Sequence, residues 1–154
     1  EAIEQDLEAG HVPICVISTI GTTSTSSIDP VDAIADICEK FSLWLHVDAA
    51  YAGSAAVIPE YQGYFKGWER ADSIVVNPHK WLFTPFDLSV LYCRDLNELK
   101  AAFSLVPEYL KTADEPSVKN GMDYGIQLGR RFRALKLWFV IRYFGRVRNH
   151  RPPA

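Results

Sequence analysis

Two short apolar runs that both stop abruptly at polar residues constrain this chain more than any other feature. Leu43-Trp44-Leu45-His46-Val47-Asp48 ends in a carboxylate followed by the small-residue stretch Ala49-Ala50-Tyr51-Ala52-Gly53. Ser73-Ile74-Val75-Val76-Asn77 runs directly into Pro78-His79-Lys80-Trp81. Runs this short and apolar read as buried strands of a parallel sheet. In open α/β sheets ligands bind in the crevice outside the carboxyl ends of the strands. Asp48 and Lys80, 32 positions apart, are therefore expected to share one crevice.

The surrounding sequence supplies the rest of an α/β unit. Glu1 to Glu8 has helical character and Gly10 is a stop. Val12 to Ile20 is apolar and β-branched, a third strand, and the hydroxyl-rich turn Gly21 to Ser27 follows it. Asp29-Pro30 supplies a cap and a first-turn proline for a helix through Phe41, with Val31, Ile34, Ala35 and Cys38 at helical spacing. Strand, helix and strand make a β-α-β unit whose strands should be parallel and whose crossover should be right-handed.

Farther on, Pro59 to Trp68 reads as a short helix or an irregular, aromatic-rich cover, and Leu88 to Cys93 as another strand. Asp95 with Glu98 three residues later resembles a capping box for a helix through Phe103. Leu105 to Asp123, interrupted by Pro107 and Pro116, reads as a long loop. From Arg130 to Phe144 the pattern is a helix with Phe132, Leu135, Trp138, Phe139 and Ile141 apolar, and Arg131, Arg133 and Arg142 on the other side.

Composition bounds the function. A net charge of −3 gives no electrostatic reason to expect a polyanionic partner, so nucleic acid is disfavoured. No run reaches the roughly 18 apolar residues of a membrane helix, and no signal-peptide pattern opens the chain. Cys15, Cys38 and Cys93 are odd in number, lie in apolar contexts and lack metal-ligand spacing, which reads as buried thiols in a reducing, cytoplasmic compartment. With 154 residues, 48 % of them hydrophobic, the chain suffices for one domain with a core. The only methionine is Met122 and the chain opens in mid-helix, so a piece of a longer protein is expected.

A lysine at a strand end is, alone, most often a solvated charge. Here His79 and Trp81 flank Lys80 after a proline turn, an environment that would desolvate the ammonium and set a potential cation beside it. Both effects lower a lysine pKa and favour a nucleophilic amine, which forms Schiff bases with carbonyl compounds. A carboxylate across the crevice is what pyridoxal phosphate requires, because an anion beside the ring nitrogen keeps it protonated. The plainer reading of Asp48 is a turn carboxylate. His46 and Asp48 share a strand face, and adding His79 gives a metal-site reading, though no second carboxylate or histidine has metal-like spacing. Gly53-Ser54 lacks the flanking pattern of a nucleophile elbow. The hydroxyls from Thr22 to Ser27 form either a turn or, beside Thr19, a lining of the same crevice.

Three runs taken together, His46 to Gly53, Asn77 to Trp81 and Leu128-Gly129-Arg130-Arg131-Phe132-Arg133-Ala134-Leu135-Lys136-Leu137-Trp138, resemble the pyridoxal-phosphate-dependent aromatic L-amino acid decarboxylases. That family sits with the glutamate and histidine decarboxylases and has the aspartate aminotransferase-like architecture, fold type I. The resemblance extends from about Val12 to Gly145. It implies that residues 1–145 are an incomplete C-terminal portion of the cofactor-binding large domain and that 146–154 are a truncated or irregular tail.

Position by position, the resemblance implies that Lys80 carries pyridoxal 5'-phosphate as a Schiff base and that Asp48 pairs with its ring nitrogen. Ala50 would pack against the ring, Thr19 and His79 would lie at the cofactor, and Asn77 near its phosphate. Tyr109, in Pro107-Glu108-Tyr109-Leu110-Lys111, matches the tyrosine that reprotonates the carbon left by carbon dioxide; relatives that make aldehydes often have phenylalanine there. Gly129 falls where plant members use glycine or serine, and leans towards bulky indole substrates. The implied activity is decarboxylation of an aromatic L-amino acid such as tryptophan, tyrosine or dopa by a cytoplasmic homodimer. An aldehyde synthase, a decarboxylase of another amino acid and a non-catalytic fragment are the alternatives.

The sequence also departs from the family. Tyr124-Gly125-Ile126-Gln127 lacks the tryptophan common before the final helix, and Arg146 to His150 lacks the expected helical continuation. The family's ring-stacking histidine and most of its phosphate contacts would precede Glu1, so the isolated piece is expected to be nearly inactive.

Overall fold

The computed structural model describes residues 1–104 and 120–148, with side chains as far as Gly145. The four strands found among them form one mixed sheet in the order β1-β2-β3-β4: Cys15–Thr19, Trp44–Asp48, Ser73–Val76 and Val90–Cys93. β1, β2 and β3 run parallel, with Thr19 opposite Asp48 and Asp48 opposite Val75, and β4 returns antiparallel to β3. The three parallel strands therefore deliver their carboxyl ends, and Asp48 with them, to one edge.

Helix α1 (Ala2–Glu8) is followed by a left-handed Gly10, φ +82°, as the stop signal implied. β1 is shorter than the apolar run suggested, because its first partner in β2 is Trp44, opposite Cys15. Val12 and Ile14 lie ahead of the ladder and stay exposed. Helix α2 (Val31–Phe41) buries Val31, Ala35 and Cys38 and ends at a left-handed Ser42, φ +55°. Those residues meet Ile20, Leu45, Val47 and Ala49, none more than 3 % exposed, to form the dry centre of the core. The covering segment after β2 is a series of 3-10 turns, Gly53–Val57, Pro59–Phe65 and Trp68–Arg70, from which Phe65 and Ala71 complete the core.

Two expectations are corrected here. Asp29 does not cap α2: the residue at the cap position is Pro30, and the Asp29 carboxylate instead accepts the Thr19 N–H at 2.7 Å. Only Cys38 is a buried thiol, its pKa pushed up by burial. Cys15 is exposed and Cys93 half-buried, because they fall where the sheet has no covering layer among the described residues. Helix α4 (Leu96–Phe103) has its expected cap, Asp95 accepting the Asn97 N–H at 2.8 Å. Helix α5 (Ala134–Arg148) is interrupted by non-helical backbone at Gly145, φ +60°. Its side chains Trp138, Phe139 and Ile141 are all more than half exposed. It is fastened through Arg133, whose guanidinium meets both Asp87 carboxylate oxygens at 3.1–3.3 Å, and Lys136, which donates to the Pro85 carbonyl at 2.8 Å.

Candidate active site

A cavity of about 260 Å³ opens at the carboxyl ends of β1 and β2, lined by Thr19, Gly21, Thr22, Thr23, Asp48, Ala50, Tyr51 and Lys80. Asp48 and Lys80 thus share one crevice, as the two strand ends required. Lys80 is delivered by a single helical turn, α3 (Pro78–Trp81), entered through Asn77, whose carbonyl accepts the Lys80 N–H at 2.9 Å. Pro78 suits the start of that turn, since it has no N–H to leave unpaired there.

The loop after Asp48 must bend back beneath the Lys80 turn, and its small residues permit it. The Ala50 carbonyl accepts the Asn77 N–H at 3.2 Å, tying the two motifs together. A Cβ on Gly53 would lie 2.7 Å from Val76 Cγ2 and 3.1 Å from Ala49 Cβ, so any side chain would push the loop off β3. Gly21 has the same function on the other wall: at φ +83° a Cβ would come within 2.5 Å of the Ala52 Cβ.

Asp48 is half-buried; its Oδ1 accepts the Ala50 N–H at 3.0 Å, and among the described residues no cation pairs with it. Lys80 likewise has no ion-pair partner among the described residues, although both side chains line the same cavity. A carboxylate and an amine kept apart yet facing one space form a donor set suited to a ligand with an electrophilic carbonyl and a basic ring nitrogen. Buried Asn77 Oδ1, which has no hydrogen-bond partner among the described residues, supplies a further polar atom beside the Lys80 turn. The residues present therefore fit pyridoxal phosphate.

Not every predicted residue enters this cavity. Thr19, Asp48, Ala50 and Lys80 do; Asn77 and His79 are not among its lining residues. His79 Nδ1 accepts the Leu88 N–H at 2.9 Å, and the ring stands edge-on to Phe86, centroids 4.9 Å apart. Trp81 turns towards Tyr51, centroids 4.9 Å apart at 66°. The expectation that His79 and Trp81 enclose Lys80 is thus corrected. Successive residues of a helical turn diverge by about 100°, so sequence neighbours do not flank the lysine, and its side chain is exposed. Gly129 is exposed, with open space around it, and Tyr109 lies outside the described residues.

His46 belongs to a different network. Trp44 Nε1–H donates to Ser73 Oγ at 2.9 Å, leaving the Ser73 hydrogen for His46 Nδ1, 2.7 Å away. Among the described residues no three His, Cys, Asp or Glu side chains gather as a metal site. Sequence reasoning missed Tyr51 as a lining residue. The signal was present, since Tyr51 is the one large side chain between Ala49 and Gly53.

The pyridoxal-dependent decarboxylase conserved domain matches residues 1–151. Tryptophan decarboxylase 1 of Oryza sativa subsp. japonica is 48 % identical over 147 residues, covering 94 % of this chain and 29 % of the relative. Phenylacetaldehyde synthase of Arabidopsis thaliana is 46 % identical over 158 residues, covering 97 % and 32 %. The crystal structure of Oryza sativa TDC with PLP and tryptamine superposes with a TM-score of 0.90 at 47 % identity, over 96 % of this chain and 30 % of that one. The chain thus spans about three-tenths of the proteins it matches, and its mixed sheet is part of the large domain of fold type I. With residues 1–151 matched by the family model and a crevice whose carboxylate and amine fit the cofactor, the chain belongs to the pyridoxal-dependent decarboxylase family.

Proposed function

We propose that this chain carries the cofactor crevice of a carboxy-lyase that converts an aromatic L-amino acid, of tryptophan, tyrosine or dopa type, to its amine and carbon dioxide. The observation that carries the reading is the convergence of Asp48 and Lys80 on one cavity at the strand ends. Pyridoxal 5'-phosphate, when bound, supplies an electron sink for the pair left at the α-carbon as carbon dioxide departs. Lys80 would hold the cofactor through its amine, and the Asp48 carboxylate would keep a proton on the ring nitrogen. The Ala50 N–H held on Asp48 Oδ1 orients that carboxylate. Ala50 would leave room for a flat ring above the loop, Thr19 offers a hydroxyl beside Asp48, and Asn77 would serve the phosphate. His79 acts from behind, its bond to the Leu88 N–H steadying the turn that presents Lys80.

Tyr109 is the proposed proton donor to the α-carbon, and Gly129 the residue whose lack of a side chain admits an indole. On the same reading residues 1–145 are part of the cofactor-binding large domain, and the working protein is a cytoplasmic homodimer. No helix among the described residues is long and apolar enough to cross a membrane. Chain 1–154 by itself should turn over little or nothing.

The test is an absorbance spectrum of the full-length protein with pyridoxal phosphate, before and after Lys80→Ala. Loss of the long-wavelength band of lysine-bound cofactor is expected, and a band that survives unchanged sinks the assignment. A second reading, aldehyde synthesis, draws on the similarity to a phenylacetaldehyde synthase. Product analysis separates the two, amine without peroxide being expected here.

A further inference from the structure

We propose that Asp29 is a positioning residue of this crevice, acting on the cofactor through Thr19. The inference rests on the reading that the crevice holds pyridoxal phosphate. β1 is the outer strand of the described sheet, and Thr19 is its last residue. Backbone groups alternate in direction along a strand, and here the alternation is resolved residue by residue. Ile20 N–H donates to the Asp48 carbonyl at 2.9 Å, tying the chain to β2. Thr19 bonds to Asp29 with both backbone groups: its N–H donates to Asp29 Oδ2 at 2.7 Å, and its carbonyl accepts the Asp29 N–H at 3.0 Å.

Asp29 therefore does for Thr19 what a neighbouring strand would do, and closes the edge at the position that faces Asp48 in register. Its carboxylate serves this bond and makes none to the N-terminus of α2, where an aspartate before Pro30 was expected to cap. The bond is short and charge-assisted, the stronger class of hydrogen bond. Its result is that a residue lining the cavity has both backbone groups fixed, so the direction of its side chain is fixed with respect to Asp48 and Lys80. Removing the carboxylate would leave the half-buried Thr19 N–H without its partner and free the strand end to shift.

Pyridoxal phosphate affinity of the full-length protein, followed by tryptophan fluorescence and the long-wavelength absorbance band, tests this. D29A should raise Kd about tenfold, the cost of one charge-assisted bond. T19A should weaken binding too, and D29A/T19A should be no weaker than the worse single variant, because both act at one contact. A D29A Kd within about twofold of wild type, or effects that multiply in the double variant, overturns the proposal. If D29A does not fold, D29N takes its place: it keeps an acceptor oxygen without the charge, and a weakening of about threefold that vanishes once Thr19 is alanine is expected. An independent effect of D29N overturns the proposal equally. K80A run in parallel separates the two levels. A band that persists in K80A removes the site reading itself, whereas a K80A-sensitive band with multiplying D29A and T19A effects removes only the role of Asp29.

Discussion

The two faces of strand β2 have different duties within five residues. Leu45 and Val47 point under α2 and are 1 % and 0 % exposed, whereas Trp44, His46 and Asp48 point to the other face, where Trp44 is 36 % exposed. The covered face is apolar and closely packed. The open face carries a hydrogen-bonded row, Trp44 to Ser73 to His46, and then the carboxylate at the crevice. Because the side-chain period of a strand is two, a single strand separates residues that hold the fold from residues that present chemistry. A change on one face should then register as stability and a change on the other as function.

Leu45→Ala is the most severe break of the covered face. It opens a cavity under α2 and should cost about 3 kcal/mol in urea unfolding of the chain, within the range for buried leucines. Less than about 1 kcal/mol would mean that the face can collapse and is not tightly packed. Asp48→Asn tests the open face in the opposite sense. The amide oxygen can still accept the Ala50 N–H, so unfolding should hardly change, while turnover of the full-length protein should fall about a hundredfold through loss of the charge beside the ring nitrogen. A stability loss as large as that of Leu45→Ala would break the separation of the faces.

The same separation explains what was legible in the sequence. The three parallel strands, α2, and the meeting of Asp48 with Lys80 followed from local period and from where apolar runs stop. What failed needed knowledge of third partners. Asp29 carried the sequence signature of a helix cap, but the unpaired edge of Thr19 outcompeted α2 for its carboxylate. The sequence alone reads Lys80 as enclosed because His79 and Trp81 adjoin it. Leu88 and Phe86 draw the histidine away, and Tyr51 draws the tryptophan. The uncovered thiol of Cys15 belongs to the same class of error, since a β-branched run does not say which of its faces will be dry.

Ser73→Ala probes the middle of the open face. Ser73 is 8 % exposed, and its hydroxyl both accepts from Trp44 and meets His46, so its removal leaves an indole N–H and a ring nitrogen without their partner. A cost of about 1–2 kcal/mol is expected, smaller than for Leu45→Ala. Were the cost as large, the open face would be holding the fold as firmly as the covered one.

The smallest effect should come from charges outside both faces. Arg70 reaches Asp32, Asp36 and Glu39 of α2 at 2.7–2.9 Å, and Lys66 also meets Asp32 at 2.7 Å. These bonds hold the Asp32 carboxyl below its usual pKa of 3.8, Lys66 first and Arg70 second, and hold Arg70 above its own. A carboxyl depressed in the folded state stabilises above its unfolded pKa and loses that contribution as pH falls through the folded one. Arg70→Gln should therefore lower the melting temperature slightly and by a constant amount from pH 5 to 8, with the gap to wild type closing below about pH 4. Added salt should narrow the gap at neutral pH as well, because Asp36 and Glu39 are largely exposed. A gap that ignored both pH and salt would mean that Arg70 acts through its packed aliphatic stem and its bond to the Asp32 carbonyl, and would count it with the covered face after all.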